Sequence, residues 1–335
     1  MRMVMKRERR EMVLKRILQL YSHDLQAVET VIERSLQSEV SLIYEVGKYL
    51  LLSGGKRIRP LLLLMVSELC RYRGDRRYQL AAVLEFIHTA TLLHDDVIDN
   101  SYLRRGYPSA NSRWGNEVSI LVGDFLYAKA MDMALEDNDR RVLKEITDVT
   151  LAMTEGQILE TRKLWDLTIT EEEYYQIISR KTASLFAASC YIGGVLGESS
   201  PQELTALRHF GMNLGIAFQI VDDALDFMAQ EDRLGKPVGR DLREGKITLP
   251  LILTLQKATH KEYRFIEKFT HAKEKTDDGF LHIVTILNRY NMLCRVLEEA
   301  KIYVDRAKQA LQIFETSLMT KLLMELADYV VKREN

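Results

Sequence analysis

Two acidic signatures of one form, Asp95-Asp96-Val97-Ile98-Asp99 and Asp222-Asp223-Ala224-Leu225-Asp226, lie far apart in the chain, each inside an apolar stretch. Carboxylates so placed repel one another and lose hydration, a cost that cations or strong hydrogen bonds must offset. On a helix the first and last Asp of each signature fall four residues apart, on one face and roughly 5–6 Å from each other. Hard carboxylate oxygens suit Mg²⁺, Mn²⁺ or Ca²⁺, and no Cys or His cluster has zinc-like spacing. A single such signature is equally readable as a solvated helix face. Two copies, preceded by Thr91-Leu92-Leu93 and by Phe218-Gln219-Ile220-Val221, argue for metal binding.

Basic residues stand beside structure-breaking ones in four places: Gly54-Gly55-Lys56-Arg57-Ile58-Arg59-Pro60, Arg104-Arg105-Gly106, Arg180-Lys181-Thr182, and Lys236 with Lys246. Phosphate oxygens are bound by such groups and by free N–H groups at helix starts. Pro60 suits a first helical turn, which puts Lys56 and Arg59 at its positive end. The segment is not a P-loop, since no strand precedes it and the GxxxxGK[ST] spacing is absent. Each cluster alone reads as surface charge. Together with two Asp signatures they describe a cavity for polyphosphate, in which divalent ions bridge carboxylates and phosphates that would otherwise repel.

The elements that must position these groups read as helices. Apolar residues recur at three- and four-residue spacing, as in Val13, Ile17, Leu20, in Leu42, Val46, Tyr49, Leu50, and in Val142, Ile146, Val149, Met153, and no stretch sustains a strand alternation. Breaks at 53–55, 73–75, 104–115, 136–139, 198–201 and 234–250 mark off roughly ten or more helices. The 335 residues are 47% apolar with only five prolines, and no linker or shift in composition divides them. We read one all-α domain over 1–335, a helix bundle whose two Asp segments, 81–100 and 203–228, face each other across a cavity.

A balance of 47 basic against 48 acidic residues gives no bulk attraction to nucleic acid. Three widely spaced cysteines make a disulfide framework implausible and fit a reducing cytoplasm. The longest uncharged run, 182–197 apart from its flanks, is shorter than the roughly 20 residues of a membrane span and reads as a packed core helix. The basic N-terminus (Arg2, Lys6, Arg7, Arg9, Arg10, Lys15, Arg16) lacks the apolar core of a secretory signal.

In order along nearly the whole chain, 54–60, His88 through Asp99 to Gly106, Gly123-Asp124, Glu155-Gly156-Gln157, Lys181-Thr182, Gln219 to Asp226 and Lys236 to Lys246 resemble the trans-polyprenyl diphosphate synthases, particularly the long-chain heptaprenyl and octaprenyl enzymes. That resemblance implies an isoprenoid-synthase-type bundle of antiparallel helices around a deep cavity, as a homodimer. It implies head-to-tail condensation of an allylic diphosphate with isopentenyl diphosphate, the cation being shielded from water by apolar walls. Asp95, Asp99 and Asp222 become the direct ligands of about three Mg²⁺ ions, with Asp96, Asp223 and Asp226 as further ligands or anchors of bound water. Arg104, Lys181, Gln219, Lys236 and Lys246 hold the allylic diphosphate, assisted by Thr182. Lys56, Arg59, His88 and Arg105 match the isopentenyl diphosphate site. His94 is left as structural, and the released diphosphate takes the final proton.

Product length should follow from how far the cavity runs from the metals. Ala90 and Thr91 lie five and four residues before Asp95, about one turn down its helix. In the resembled family an aromatic residue there stops growth early, so these small residues imply a product of roughly C30 to C50, of the kind used for quinone side chains, with a floor on the helix of Leu143, Ile146 and Thr150. The alternatives are a short-chain farnesyl or geranylgeranyl diphosphate synthase, a non-catalytic partner subunit of a heteromeric synthase, and a terpene-cyclase or squalene-synthase-like enzyme. The last departs from a second full Asp signature, or needs no Lys56/Arg59 site.

Overall fold

The three- and four-residue apolar spacing closes into helices almost wherever it occurs. A computed structural model describes residues 13–51, 55–104, 106–228 and 239–332. Helix α1 (residues 13–20) is followed by α2 (Ser22–Ser35), α3 (Ser41–Leu51), α4 (Ile58–Leu69), α5 (Arg76–Ile98), α6 (Ala110–Trp114), α7 (Asn116–Glu136), α8 (Arg140–Arg162) and α9 (Glu171–Ile178). After a π-helical turn, Ser179–Ala183, come α10 (Ser184–Leu196), α11 (Pro201–Met228), α12 (Arg240–Arg243), α13 (Leu249–Leu255), α14 (His260–Thr270), α15 (Asp277–Arg289), α16 (Met292–Ala310) and α17 (Leu318–Lys332). Among the described residues the strands are two residues each, β1 (Leu103–Arg104) and β2 (Tyr107–Pro108), an antiparallel hairpin that the sequence pattern did not announce. Gly54, Arg105, Lys236 and the basic stretch before residue 13 lie outside the described residues.

Both Asp segments sit on long helices, as expected. Helix α5 packs against α4 and α7, and α11 against α10 and α16. The α10–α11 contact is close because a Cβ on Gly211 would come within 2.4 Å of the Phe186 carbonyl oxygen, and one on Gly215 within 2.5 Å of Ala183 Cα. Alanine at either position would push the helices apart and widen the cavity between α5 and α11.

Apolar side chains form two buried clusters. One gathers α4, α5, α7, α8 and α10 around Leu61, Leu84, Phe86, Leu126 and Phe186. The other joins α9, the end of α11 and α13–α16 around Ile220, Phe227, Leu251, Ile283 and Val296. Helix α11 feeds both, through Phe210 and Leu214 in the first and Ile220 and Phe227 in the second, so the second Asp segment rides on a helix anchored at both ends. Within 234–250, where the sequence suggests only loop, α12 supplies one helical turn and α13 begins at Leu249, with Pro250 in a first-turn position that tolerates its missing N–H. Among the described residues no helix is long and apolar enough to cross a membrane.

Candidate active site

A cavity of ≈ 1240 Å³ opens between α5 and α11 and reaches α3, α8, α9 and α10. Asp95, at the end of α5, lies on its wall. Burial raises its carboxyl pKa, opposed by the Lys181 charge, whose Nζ stands 3.8 Å away. Asp99 is the C-cap of α5, and its Oδ2 receives Lys246 Nζ at 2.7 Å. Asp96 faces the other way and is 1% exposed. The β1–β2 hairpin brings Arg104 back to it, with Nε and Nη2 donating to its two carboxylate oxygens at 2.8 and 2.7 Å. In this arrangement Asp96 is the counter-ion of Arg104 and Asp99 stands behind Lys246, while Asp95 faces the cavity.

The α11 signature is neutralised differently. Asp222 is exposed on the cavity wall. Asp223 is buried and accepts from Tyr174 Oη at 2.6 Å and from Gln219 Nε2 at 2.8 Å. With neutral donors only, burial and the neighbouring carboxylates push it up to about 7. Asp226 accepts the backbone N–H groups of Arg240 and Asp241, each at 3.1 Å, and so ties the start of α12 to α11. Asp241 lies half-buried on the cavity wall, and burial together with the charges of Asp226 and Asp223 drives it well above the usual carboxylate range.

Lys181 and Thr182 reach the cavity from the π-helical turn, whose extra residue re-aims the side chains that follow it. Gly156 on α8 makes room, since a Cβ there would lie 2.6 Å from Lys181 N. Lys181 Nζ donates to Glu160 at 2.5 Å, and Thr182 Oγ1 donates to Gln219 Oε1 at 2.9 Å, so Thr182, Gln219, Asp223 and Tyr174 form one continuous chain of hydrogen bonds. Burial would lower the Lys181 ammonium, yet Glu160 and Asp95 hold its pKa above the ordinary value. Lys246 is raised further still, with Glu160, Asp99, Glu244 and Asp241 around it.

Lys56, Arg59 and His88 line the same cavity toward α4. Helix α4 begins at Ile58 after Arg57, which has left-handed backbone geometry (φ 46°, ψ 38°) and donates to Glu85 at 2.6 Å. Arg57 is thereby turned inward as a brace. The Arg59 guanidinium lies 4.9 Å from the Phe186 ring centroid, and burial pushes its pKa down to about 10.

Among the described residues lining the cavity, four buried atoms have no hydrogen-bond partner: Arg57 Nε, Arg59 Nε, Gln157 Oε1 and Thr248 Oγ1. Orphan polar atoms gathered on residues of one cavity fit a site that binds a polar ligand. Among the described residues no three Asp, Glu, His or Cys side chains converge closely enough to cage a metal ion alone. Separated carboxylates of this kind fit Mg²⁺, which takes one or two protein oxygens and completes its shell with substrate phosphates and water.

The sequence reading passed over Tyr174, Glu160 and Asp241. Asp241 carried a signal in its place between Lys236 and Lys246, whereas Tyr174 and Glu160 gave none, being one tyrosine and one glutamate on ordinary amphipathic helices. The two residues proposed to set product length separate. Thr91 lines the cavity, but Ala90 is fully buried in the α5 core and is not on the wall, because adjacent helical residues point about 100° apart. On α8 the wall is made by Met153, Thr154, Gln157 and Ile158; Leu143, Ile146 and Thr150 are not part of it, and Ile146 is buried in the core. His94 lines the wall, with Nε2 3.2 Å from the Ile120 carbonyl oxygen of α7. Lys56, His88 and Asp222 also carry interactions within the protein.

The family model described as polyprenyl synthetase matches residues 40–287. The chain is 37% identical over 324 residues to an octaprenyl diphosphate synthase of Escherichia coli (strain K12), covering 96% of this chain and 100% of the relative. It is 36% identical to a short chain isoprenyl diphosphate synthase of Methanothermobacter thermautotrophicus, covering 95% and 98%. A solved polyprenyl synthase from Caulobacter crescentus CB15, complexed with calcium and isoprenyl diphosphate, superposes with a TM-score of 0.92 at 39% identity over 96% of this chain and 98% of the other. With the all-α bundle and the facing Asp helices already in place, these matches identify the chain as a member of the polyprenyl synthetase family.

Proposed function

We propose that the protein is a Mg²⁺-dependent trans-polyprenyl diphosphate synthase that condenses an allylic diphosphate with successive isopentenyl diphosphate units to a product of roughly C30 to C50, of the kind attached to quinones. The observation that carries this reading is the division of one cavity into two cationic ends around two acidic helices. Lys181 and Lys246 stand among the carboxylates, and Lys56 and Arg59 stand apart near α4. Asp95, Asp99 and Asp222 would hold Mg²⁺, which when bound would supply charge stabilisation for the departing diphosphate.

The chain's own residues do the rest. Lys181 and Lys246 exchange carboxylate partners for diphosphate oxygens, with Gln219 and Thr182 orienting the same group. Asp96 holds Arg104 beside it, and Lys236 and Arg105, outside the described residues, are assigned to the allylic and isopentenyl diphosphates respectively. Arg59 offers its unpartnered Nε to the isopentenyl diphosphate, with Lys56 and His88 beside it. The allylic carbon–oxygen bond breaks with its electron pair on diphosphate. The isopentenyl double bond attacks the resulting cation, and the released diphosphate takes a proton to leave a new double bond in a chain five carbons longer. Phe186, Phe218, Ile177 and Ile178 would give the cation apolar walls that offer no nucleophilic side chain.

Octaprenyl and short-chain relatives are almost equally similar, so product length rests on the wall. Thr91 is small, and ≈ 1240 Å³ exceeds the roughly 300–1,000 Å³ of ordinary small-molecule sites. The test is incubation with farnesyl diphosphate, labelled isopentenyl diphosphate and Mg²⁺, followed by chromatography of the dephosphorylated products. Products near C30–C50 support the reading. Termination at C15–C20 would reject the long channel, and no incorporation with any primer would favour a partner-subunit role.

The partner assigned is a second copy of the chain. Leu121, Ala128 and Leu135 on α7 repeat at seven-residue spacing on an exposed face, and Leu151 and Ile158 do so on the adjoining α8. Leu121, Leu135, Leu151 and Ile158 are each more than half exposed. A two-fold contact would bury both stripes. The monomer mass of Leu121→Lys in sedimentation, against a dimer for the unmodified chain, checks it.

A further inference from the structure

We propose that Trp165 is a positioning residue, a clamp that fixes segment 239–248 and so sets Lys246 and Asp241 in the cavity; this rests on the reading of Lys246 as a diphosphate-holding cation. Trp165 lies in the turn between α8 and α9 with φ 66°, a left-handed conformation rare for a bulky residue. Backbone outliers persist where the surroundings over-determine them, and often where position matters to function. Its N–H donates to the Gly245 carbonyl oxygen at 2.8 Å, and its indole lies so close over Gly245 that a Cβ there would stand 2.4 Å from Cε2. Gly245 is itself left-handed at φ 89°, so any side chain at this position would be both strained and blocked. Lys275 Nζ stands 4.2 Å from the indole centroid, a cation–π contact reaching from the turn before α15.

That turn and the first residues of α15 grip the segment a second time. Gly239 (φ 71°) lies on the Phe280 ring, where a Cβ would fall 2.0 Å from Cε2. Arg243 donates to the Lys275 carbonyl oxygen at 2.6 Å and pairs with Asp277. The residue after Gly245 is Lys246, whose N–H closes on the Asp241 carbonyl oxygen at 2.8 Å and whose Nζ reaches Asp99. Trp165 therefore acts one residue from a site cation and is not among the residues lining the cavity. A purely structural tryptophan would support stability alone. A clamp sets the distance from Lys246 to its anion, and its loss should weaken diphosphate binding while the fold persists.

The chain has two tryptophans, so Trp114→Phe leaves Trp165 as the sole indole emitter. Inorganic pyrophosphate with Mg²⁺ titrated into that protein should change its emission saturably, at the concentration where calorimetry reports binding. Trp165→Asn keeps a residue that tolerates left-handed geometry and removes the indole. Its pyrophosphate affinity by calorimetry should fall about tenfold, the equivalent of part of one charge-assisted hydrogen bond, with an unchanged circular dichroism spectrum. Lys275→Met should lose about two- to threefold, and carries the comparison should Trp165→Asn fail to fold. Pyrophosphate that binds with Trp165 emission unmoved and with variant affinities within about twofold of the parent would overturn the clamp while leaving the proposed function intact. Absence of any pyrophosphate binding would overturn both.

Discussion

At the end of α5 the carboxylates meet cations: Arg104 on Asp96, Lys246 on Asp99, Lys181 near Asp95. On α11 they meet neutral donors: Tyr174 and Gln219 on Asp223, two backbone N–H groups on Asp226. The same five-residue pattern thus occupies two electrostatic states. The α5 group is already compensated, and its lysines must change partners when an anion arrives. On the α11 side burial first, and the neighbouring carboxylates second, push Asp223 and the nearby Asp241 toward protonation. Under the proposed function the lysines beside α5 would receive the diphosphate, while Asp95 and Asp99 on α5 and Asp222 on α11 would hold the metal between the two helices.

The largest expected effects come from removing the cavity-wall aspartate on either side. Asp95→Ala and Asp222→Ala should each lower kcat/KM for condensation by about 10³ or more, since each removes charge stabilisation from the transition state in a water-poor site. Steady-state incorporation of labelled isopentenyl diphosphate measures this. If one substitution costs less than about tenfold, the two helices do not share the metal work.

Asymmetry between the second aspartates is the next test. Asp96→Asn strands the Arg104 charge and should cost about a hundredfold in activity together with measurable stability. Asp223→Asn keeps an acceptor for Tyr174 and should cost only about tenfold. Equal losses would erase the distinction between a charge-compensated and a neutral environment.

The pH dependence follows from the same contrast. Asp223 has its carboxyl raised from 3.8 to about 7, so between these values the folded protein binds more protons than the unfolded chain. Its contribution favours the metal-free fold as pH drops through about 7 and is lost as pH rises through that value, opposite to an ion-paired carboxylate. Mg²⁺ competes with that proton, so the Tm gain on adding Mg²⁺ should grow from about pH 6 to about pH 8.5. In Asp223→Asn the gain should be flat across that interval, as scanning calorimetry would show.

Smaller effects concern the second layer and the wall. Tyr174→Phe should cost about 1–3 kcal/mol by leaving one Asp223 oxygen unbonded, read from urea midpoints at constant slope. Thr91→Tyr should shorten products toward C15–C20 with condensation retained. Ala90→Tyr should instead overpack the α5 core and reduce yield of folded protein.

The elements that were legible share a feature: they bind through residue type at fixed spacing. Two Asp signatures on apolar helices, four basic breaks and the three- to four-residue period were enough to place α5, α11 and the cavity between them. What stayed hidden depends on backbone path. Arg104 reaches Asp96 only because a two-residue hairpin folds back, Lys181 faces the cavity only because one helical turn is π, and Thr91 parts from Ala90 by a rotation that spacing from Asp95 does not reveal. Trp165 belongs to the same class, since its role depends on a left-handed turn meeting a segment some eighty residues further along.

The division of labour between α5 and α11 is tested most directly by titrating Mg²⁺ calorimetrically, first alone and then in the presence of an unreactive allylic diphosphate analogue. We expect weak binding alone, because no preformed cage exists among the described residues, and tight uptake of more than one ion once the analogue is present. Tight stoichiometric Mg²⁺ binding without the analogue, or tight analogue binding in chelator, would contradict an anion held between the two helices through metal.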